Sequence, residues 1–231
     1  MNEVLRQEKK FLISMDQFYK YSHKLSHILQ VDKHSKDEGY EIRSLYFDSI
    51  DDRDFQEKED GIEIRRKIRL RNYGSNSTFA MLEMKQKQGD LQKKRSLRME
   101  KVDAMRLIDG DYSVLLQYSE PFALECYAIM NMHCYRPKTV VTYKRKAFVA
   151  KENNIRITFD HNIVANESYY DIFSVDLSQN AVIDPYVVVL EVKYNGFLLS
   201  YIKDMLMECD KSKTSVSKYC LGRSISKHYV F

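Results

Sequence analysis

Apolar and polar residues alternate with period two along several segments, and each such segment predicts a strand with one apolar and one polar face. These segments are Val4 to Ile13, Tyr40 to Asp48, Ile62 to Asn72, Thr78 to Lys87, Leu91 to Glu100, Lys138 to Ala150, Ile155 to Asp160 and Val187 to Tyr194. Between them the period lengthens to that of a helix. Ser14 and Gln17 stand at capping-box spacing ahead of a helix reaching about Gln30. A charged helix from Asp51 to Asp60 is stopped by Gly61, and helical patterns return at Val102 to Gly110, Ser113 to Met132, Leu198 to Cys209 and Thr214 to Ser226. The connections Tyr73 to Ser77, Gln88-Gly89-Asp90 and Glu152-Asn153-Asn154 have turn composition. Successive hairpins with a few helices around them predict an α+β fold built on a large, mostly antiparallel sheet.

Composition narrows this picture. At 231 residues a single domain spanning 1–231 is expected, and 44% hydrophobic residues with 17 Tyr and 11 Phe require a real core. Only 7 Gly and 3 Pro exclude a flexible linker or a collagen-like tract. The four cysteines, Cys126, Cys134, Cys209 and Cys220, form no C-x-x-C pair, which argues against a zinc ribbon or disulfide framework and for reduced thiols. The opening residues lack the apolar core of a signal peptide. The longest apolar run, Tyr186 to Leu190, is strand-sized, so no transmembrane segment is expected and a cytoplasmic location is.

Charge is unevenly spread. Residues 62–101 carry 12 Lys/Arg against 4 Asp/Glu, whereas the whole chain is only +4. Such a local basic field concentrates anions. Parity within the strands sorts these charges onto faces. Glu63, Arg65, Lys67, Arg69 and Arg71 share one parity of their strand; Arg6, Glu8 and Lys10 share one in theirs. The same sorting groups Glu83, Lys85 and Lys87, then Tyr143 with Arg145, then Arg156, Thr158 and Asp160, and finally Glu191 with Lys193.

The ordinary reading is a half-exposed sheet with its charged face in water. Six segments repeating the pattern support another: a closed antiparallel barrel, flanked by helices, with a polar basic interior. A ring of guanidinium and ammonium groups repels itself unless a polyanion neutralises it, and Arg and Lys both suit phosphate oxygens. Carboxylates among them would suit a divalent metal shared with substrate phosphates. The expected chemistry is phosphoryl transfer.

The motifs have a known counterpart. Arg6-Gln7-Glu8-Lys9-Lys10-Phe11 resembles the opening strand R-x-E-x-K-[YF] of the polyphosphate polymerase VTC domain family, a branch of the triphosphate tunnel metalloenzymes. Ser44 to Asp48, Lys67 to Arg71, Leu82 to Lys85, Tyr143 to Phe148, Arg156 to Asp160, Leu190 to Tyr194 and Ser217 to Cys220 resemble its later motifs in order. The resemblance implies an eight-stranded tunnel. It implies phosphate-binding, catalytic roles for Lys10, Arg69, Arg71, Lys85, Arg145, Arg156 and Lys218, with Arg6, Lys93, Tyr143 and Ser217 as further substrate contacts. Lys93 is chosen over its neighbour Lys94. Glu191 and then Glu8 are the implied ligands of Mn or Mg. Ser215 stands where the family often has a basic residue, and Lys213 is the nearest substitute. The implied partners are ATP or another triphosphate and a polyphosphate chain; the residues assign no membrane partner.

A triphosphatase on the same fold would need the same residues. A nucleic-acid module would interleave aromatics with its basic residues for base stacking, and the basic parity of residues 62–71 has none. A non-catalytic polyphosphate sensor could dispense with the carboxylate at Glu191. No G-x-x-x-x-G-K-[ST] or G-x-G-x-x-G is present. His23 and His27, one helical turn apart, fall off the apolar face of their helix and are expected in solvent.

Overall fold

A computed structural model describes residues 7–35, 39–89, 91–209 and 216–227. Arg6, Lys213 and Ser215 lie outside the described residues. The strands are β1 (Gln7–Ser14), β2 (Gln30–Val31), β3 (Tyr40–Asp48), β4 (Ile64–Asn72), β5 (Phe79–Gln88), β6 (Leu91–Glu100), β7 (Arg136–Val149), β8 (Arg156–Asn166), β9 (Asn180–Ala181) and β10 (Val187–Tyr194). The helices are α1 (Met15–Ser26), α2 (Arg53–Glu59), α3 (Lys101–Ile108), α4 (Pro121–Met132), α5 (Ser200–Met207) and α6 (Lys218–Lys227).

The strands form one hydrogen-bonded path, β1-β10-β8-β7-β3-β4-β5-β6, with β2 added to β7 and β9 to β8. The eight strands of the main path correspond to the eight alternating segments of the sequence. The path ends at β1 and β6. The large antiparallel sheet is as expected; among the described residues no hydrogen bonds close it into the expected barrel. Alternation fixes which face of each strand is apolar, but closure depends on edge pairing that no period reports. No described helix is long and apolar enough to cross a membrane.

The chain divides into two compact units. Unit 1 comprises Met1–Glu41, Tyr143–Val164 and Ala181–Ser217; unit 2 comprises Ile42–Thr142, Ala165–Asn180 and Lys218–Phe231. Each has its own core. In unit 1, Phe11 and Ile13 of β1 stand opposite Leu190 and Val188 of β10, and Ile157 and Phe159 of β8 continue the same apolar face. Helix α1 covers that face with Phe18, Tyr21 and Leu25. Its start is the expected capping box: the Gln17 N–H donates to Ser14 Oγ at 3.2 Å, and the Ser14 N–H donates to Gln17 Oε1 at 3.0 Å. His23 and His27 are exposed on it, their rings 4.8 Å apart.

In unit 2, Leu45, Phe47, Ile68, Leu70, Leu82, Met84, Leu97 and Met99 form the apolar face, covered by α3 and α4. The helix expected from Ser113 to Met132 is instead a 3-10 turn, Tyr112–Gln117, followed by α4. Pro121 is the reason: it lacks the N–H a continuous helix would use and sits at the first turn of a new one. Burying each large apolar side chain of these faces contributes roughly 1.5–3 kcal/mol, so the apolar faces fix which side of each strand is left for chemistry.

Candidate functional site

Once the apolar parity is committed to the core, the opposite parity is forced onto the other face. In unit 2 the register pairs Lys67 with Lys85, Arg69 with Glu83, Tyr46 with Arg69, Ser44 with Arg71, and Lys85 with Lys94. One face therefore carries Arg65, Lys67, Arg69, Arg71, Lys85, Lys87, Lys94 and Arg98, against the acids Glu83 and Glu100. The excess positive charge of residues 62–101 is concentrated here.

Glu83 is the hub of this face, with only 2% of its surface exposed. Arg69 reaches its Oε2 with Nη2 at 2.6 Å and Nε at 2.8 Å; Arg71 Nη1 lies 3.8 Å from the same oxygen; Lys94 Nζ contacts Oε1. Burial alone would raise the Glu83 carboxyl, but Arg69, Arg71 and Lys94 outweigh it and hold it well below the usual carboxylate range. Arg69 Nη1 also donates to Tyr46 Oη at 3.1 Å. Burial opposes ionisation of that phenol, yet Arg69, Arg71 and Lys67 hold it below its ordinary value.

The register corrects the choice of Lys93. It pairs with Gln86 on the opposite face, beside Arg66, while Lys94 stands over Lys85 and touches Glu83. Two residues, Gly89 and Asp90, separate the paired Gln88 and Leu91, so the turn is one residue shorter than Gln88-Gly89-Asp90 implies. A one-residue difference exchanges the faces of a strand.

Helix α6 carries Lys218 at its first position. Its neighbour Tyr219 stacks on Tyr46, ring centroids 5.2 Å apart, and donates its hydroxyl proton to Asp48 Oδ2 at 2.5 Å. Asp48 also accepts from the N–H groups of Asp54 at 2.8 Å and Phe55 at 2.9 Å, capping α2. Gly222 lets α6 approach β7: a Cβ there would meet Val141 Cγ2 at 2.7 Å. The ion pairs Arg223–Asp52 (2.7 Å) and Arg223–Glu167 (2.9 Å) hold the middle of the helix. Lys218 thus opens a helix docked through the stacking of its neighbour Tyr219 on Tyr46.

Unit 1 balances its cations one by one. Arg145 holds both oxygens of Asp160, and Arg156 Nη1 lies 2.5 Å from Asp32 Oδ2. Asp32 reaches Arg156 from the loop after β2. That loop packs tightly against β7: Gly39 has φ +88°, and a Cβ there would lie 2.4 Å from the Arg145 carbonyl oxygen. Tyr143 is buried, with the Arg145 guanidinium 5.3 Å from its ring centroid. On β1 and β10, Glu8 stands opposite Lys193 and Lys10 opposite Glu191. Lys10 Nζ is 2.8 Å from Glu8 Oε1, and Lys193 Nζ touches Glu191 Oε1. Ser217, half-buried, ends this unit.

The structure therefore brings Glu8, Lys10, Glu191, Arg145 and Arg156 onto unit 1's polar face, and Arg69, Arg71 and Lys85 onto unit 2's, with Lys218 on the helix beside it. Sequence reasoning left out the residues that mount these cations. Glu83, Asp160 and Lys193 carried a signal, since parity already placed each beside a site residue. Asp32 carried none, because it lies 124 positions from Arg156.

No group of three or more potential metal ligands occurs among the described residues. Glu8 and Glu191 nonetheless suit a hard cation: both are carboxylates with little exposure, and the Lys193 ammonium already lies between them, 3.6 Å from Glu8 Oε2 and in contact with Glu191. Two carboxylates completed by phosphate oxygens form an ordinary Mg²⁺ or Mn²⁺ donor set.

Fold and site together define a large antiparallel-sheet protein whose polar faces present cations mounted on buried carboxylates. The chain matches the VTC domain model over residues 5–227 and belongs to the VTC domain family. Its fold is similar to that of a candidate adenylate cyclase from Bacillus halodurans, with 11% identity, 88% of each chain covered and a TM-score of 0.51. A second candidate adenylate cyclase, from Vibrio parahaemolyticus, gives 12% identity and a TM-score of 0.52 over 95% of this chain and 97% of that one. Comparison with curated proteins gives no match.

Proposed function

We propose that this protein is a metal-dependent phosphotransferase that extends polyphosphate at the expense of ATP. A terminal oxygen of the chain attacks the γ-phosphorus, the bond from that phosphorus to the β–γ bridging oxygen breaks, and ADP leaves with that oxygen. The carrying observation is the construction of unit 2's face, where Arg69, Arg71 and Lys94 converge on one buried carboxylate and Lys67 and Lys85 stand alongside. That is far more positive charge than Glu83 neutralises, arranged at strand spacing, as an extended anion requires. Membership of the VTC family supports a triphosphate substrate.

The reaction asks for positioning and charge neutralisation more than for a strong base, because the attacking phosphate oxygen is already largely deprotonated at neutral pH. Arg71 stands 3.8 Å from Glu83; Arg69 is held by the same carboxylate through two short contacts and so loses little freedom on binding phosphate. Arg145 and Arg156 are oriented in the same way by Asp160 and Asp32. Glu191 and Glu8 would hold the divalent ion. When bound, that ion supplies positive charge to the phosphate oxygens as negative charge moves to the leaving ADP.

The test is incubation of the protein with ATP and Mn²⁺ or Mg²⁺, followed by separation of ADP, free phosphate and long-chain polyphosphate. ADP with matching long-chain polyphosphate is the expected result. ADP with stoichiometric free phosphate would make the protein a nucleoside triphosphatase, and unconsumed ATP would overturn the polymerase reading and leave inorganic triphosphate as the substrate to assay.

A further inference from the structure

Four residues on β1 and β10 form a checkerboard of charge. Glu8 and Lys10 on β1 face Lys193 and Glu191 on β10, so the two carboxylates lie on one diagonal and the two ammonium groups on the other. The simplest arrangement would join each acid to the lysine across from it, as cross-strand pairs of opposite charge do. Both lysines depart from it: Lys10 Nζ lies 2.8 Å from Glu8 Oε1 on its own strand, and Lys193 likewise pairs within β10. The Lys193 side chain folds back along its own strand to touch Glu191 Oε1, leaving Nζ 3.6 Å from Glu8 Oε2. The side chains of Glu191 and Glu8 are 7% and 10% exposed, and that of Lys193 is 23% exposed. One ammonium thus stands between two nearly buried carboxylates.

We propose that Lys193 is a tethered counter-cation of the metal site. Its ammonium lies between Glu8 and Glu191 and must leave that position for a divalent ion to bind there; this rests on the proposed function for the identity of that ion. The physical reason is charge. The quartet is neutral as it stands, two ammonium groups against two carboxylates. A divalent ion added without moving Lys193 would sit directly beside its ammonium, in a largely buried setting where like charges repel more strongly than in bulk water. Once displaced, the Lys193 ammonium needs an anion. Its neighbour across on β8 is Arg156, a cation already paired with Asp32, and a substrate phosphate held beside that arginine would supply the anion. Metal entry and phosphate entry are thereby linked, and the protein takes up free metal weakly while no triphosphate is present.

The experiment titrates Mn²⁺ into the full chain without any phosphate and follows the free-ion signal by electron paramagnetic resonance. Lys193→Met is expected to bind Mn²⁺ at least tenfold more tightly than wild type, and Glu191→Gln combined with Lys193→Met to lose that gain. Lys193→Gln serves as the second variant should the methionine form fail to melt cooperatively. Unchanged or weaker Mn²⁺ binding in the folded Lys193 variants would overturn the proposal and make Lys193 a plain structural partner of Glu191. A tenfold gain in a protein that leaves ATP untouched would keep the Lys193 proposal and overturn the polymerase reading. Absence of Mn²⁺ binding in every form at millimolar concentration would overturn the metal site and the proposal with it.

Discussion

Arg145 grips Asp160 with both arms of its guanidinium, Nε to Oδ1 at 2.6 Å and Nη2 to Oδ2 at 2.7 Å, and the two side chains are 10% and 0% exposed. Removing one partner of such a pair strands the other charge in the interior, at a cost of about 3–5 kcal/mol. Arg145→Met should therefore lower the urea midpoint sharply. Adding Asp160→Leu should restore much of the loss, because the stranded charge is gone. A single variant that unfolds like wild type would show that the pair holds nothing together.

Glu83 gives a pH-dependent version of the same argument. Its carboxyl lies well below the usual range: burial would raise it, but Arg69, Arg71 and Lys94 outweigh burial. An acid with a depressed folded pKa stabilises the fold fully above its unfolded value of about 4.3, and that stabilisation is lost as pH falls toward the folded value. Glu83→Gln should melt roughly 6–12 °C below wild type at pH 7, and the gap should narrow below about pH 4. A gap that stays constant down to pH 2 would mean that charge at Glu83 is not the source of the stability.

Asp54 has the opposite sign. It is 1% exposed, accepts the Tyr135 hydroxyl at 2.9 Å, and is pushed up to about 8 by burial and by the neighbouring Asp48. An acid with a raised folded pKa binds a proton in the native state that the unfolded chain has already released, so it erodes stability as pH rises between the two values. Asp54→Asn keeps an acceptor for Tyr135 and removes the titration. Its melting temperature relative to wild type should rise from pH 5 to pH 8, and a difference independent of pH would contradict the account.

Lys94 and Lys93 are adjacent in sequence and opposite in space. Lys94→Met should weaken tripolyphosphate binding about tenfold and reduce its salt dependence, because it removes a cation from the face of Arg69 and Lys85. Lys93→Met, on the face of Gln86, should change binding by less than about twofold. Equal effects, measured by calorimetry at two salt concentrations, would show that overall charge rather than register governs binding.

The strands were legible because two-residue periodicity over six or more positions admits one assignment of faces, and Ile68, Leu70, Leu82 and Leu190 leave no doubt about which is buried. Three kinds of feature were not. Strands β2 and β9 have two residues each, too few for any period. The break at Pro121 was visible in the sequence but was overridden by the helical pattern on both sides of it. The pairing of Arg156 with its carboxylate is tertiary: Asp32 meets it across 124 positions through a loop with no motif of its own. Periodicity thus gave the face on which Arg69, Arg71, Arg145 and Arg156 lie and placed Glu83 and Asp160 on it, while the partner of Arg156 emerged only from the fold.

Direct calorimetric titration with tripolyphosphate at low salt tests whether unit 2's mounted cations grip a phosphate chain. Arg71 is the discriminating position, since it lies 3.8 Å from Glu83 on that face and is the more loosely held of the two arginines. Wild type should bind in the micromolar range, on the order of −8 kcal/mol. Arg71→Ala should fold normally and bind at least tenfold more weakly. Wild-type affinity in Arg71→Ala and in Lys85→Ala alike, with both proteins folded, would place the phosphate chain elsewhere and contradict the account.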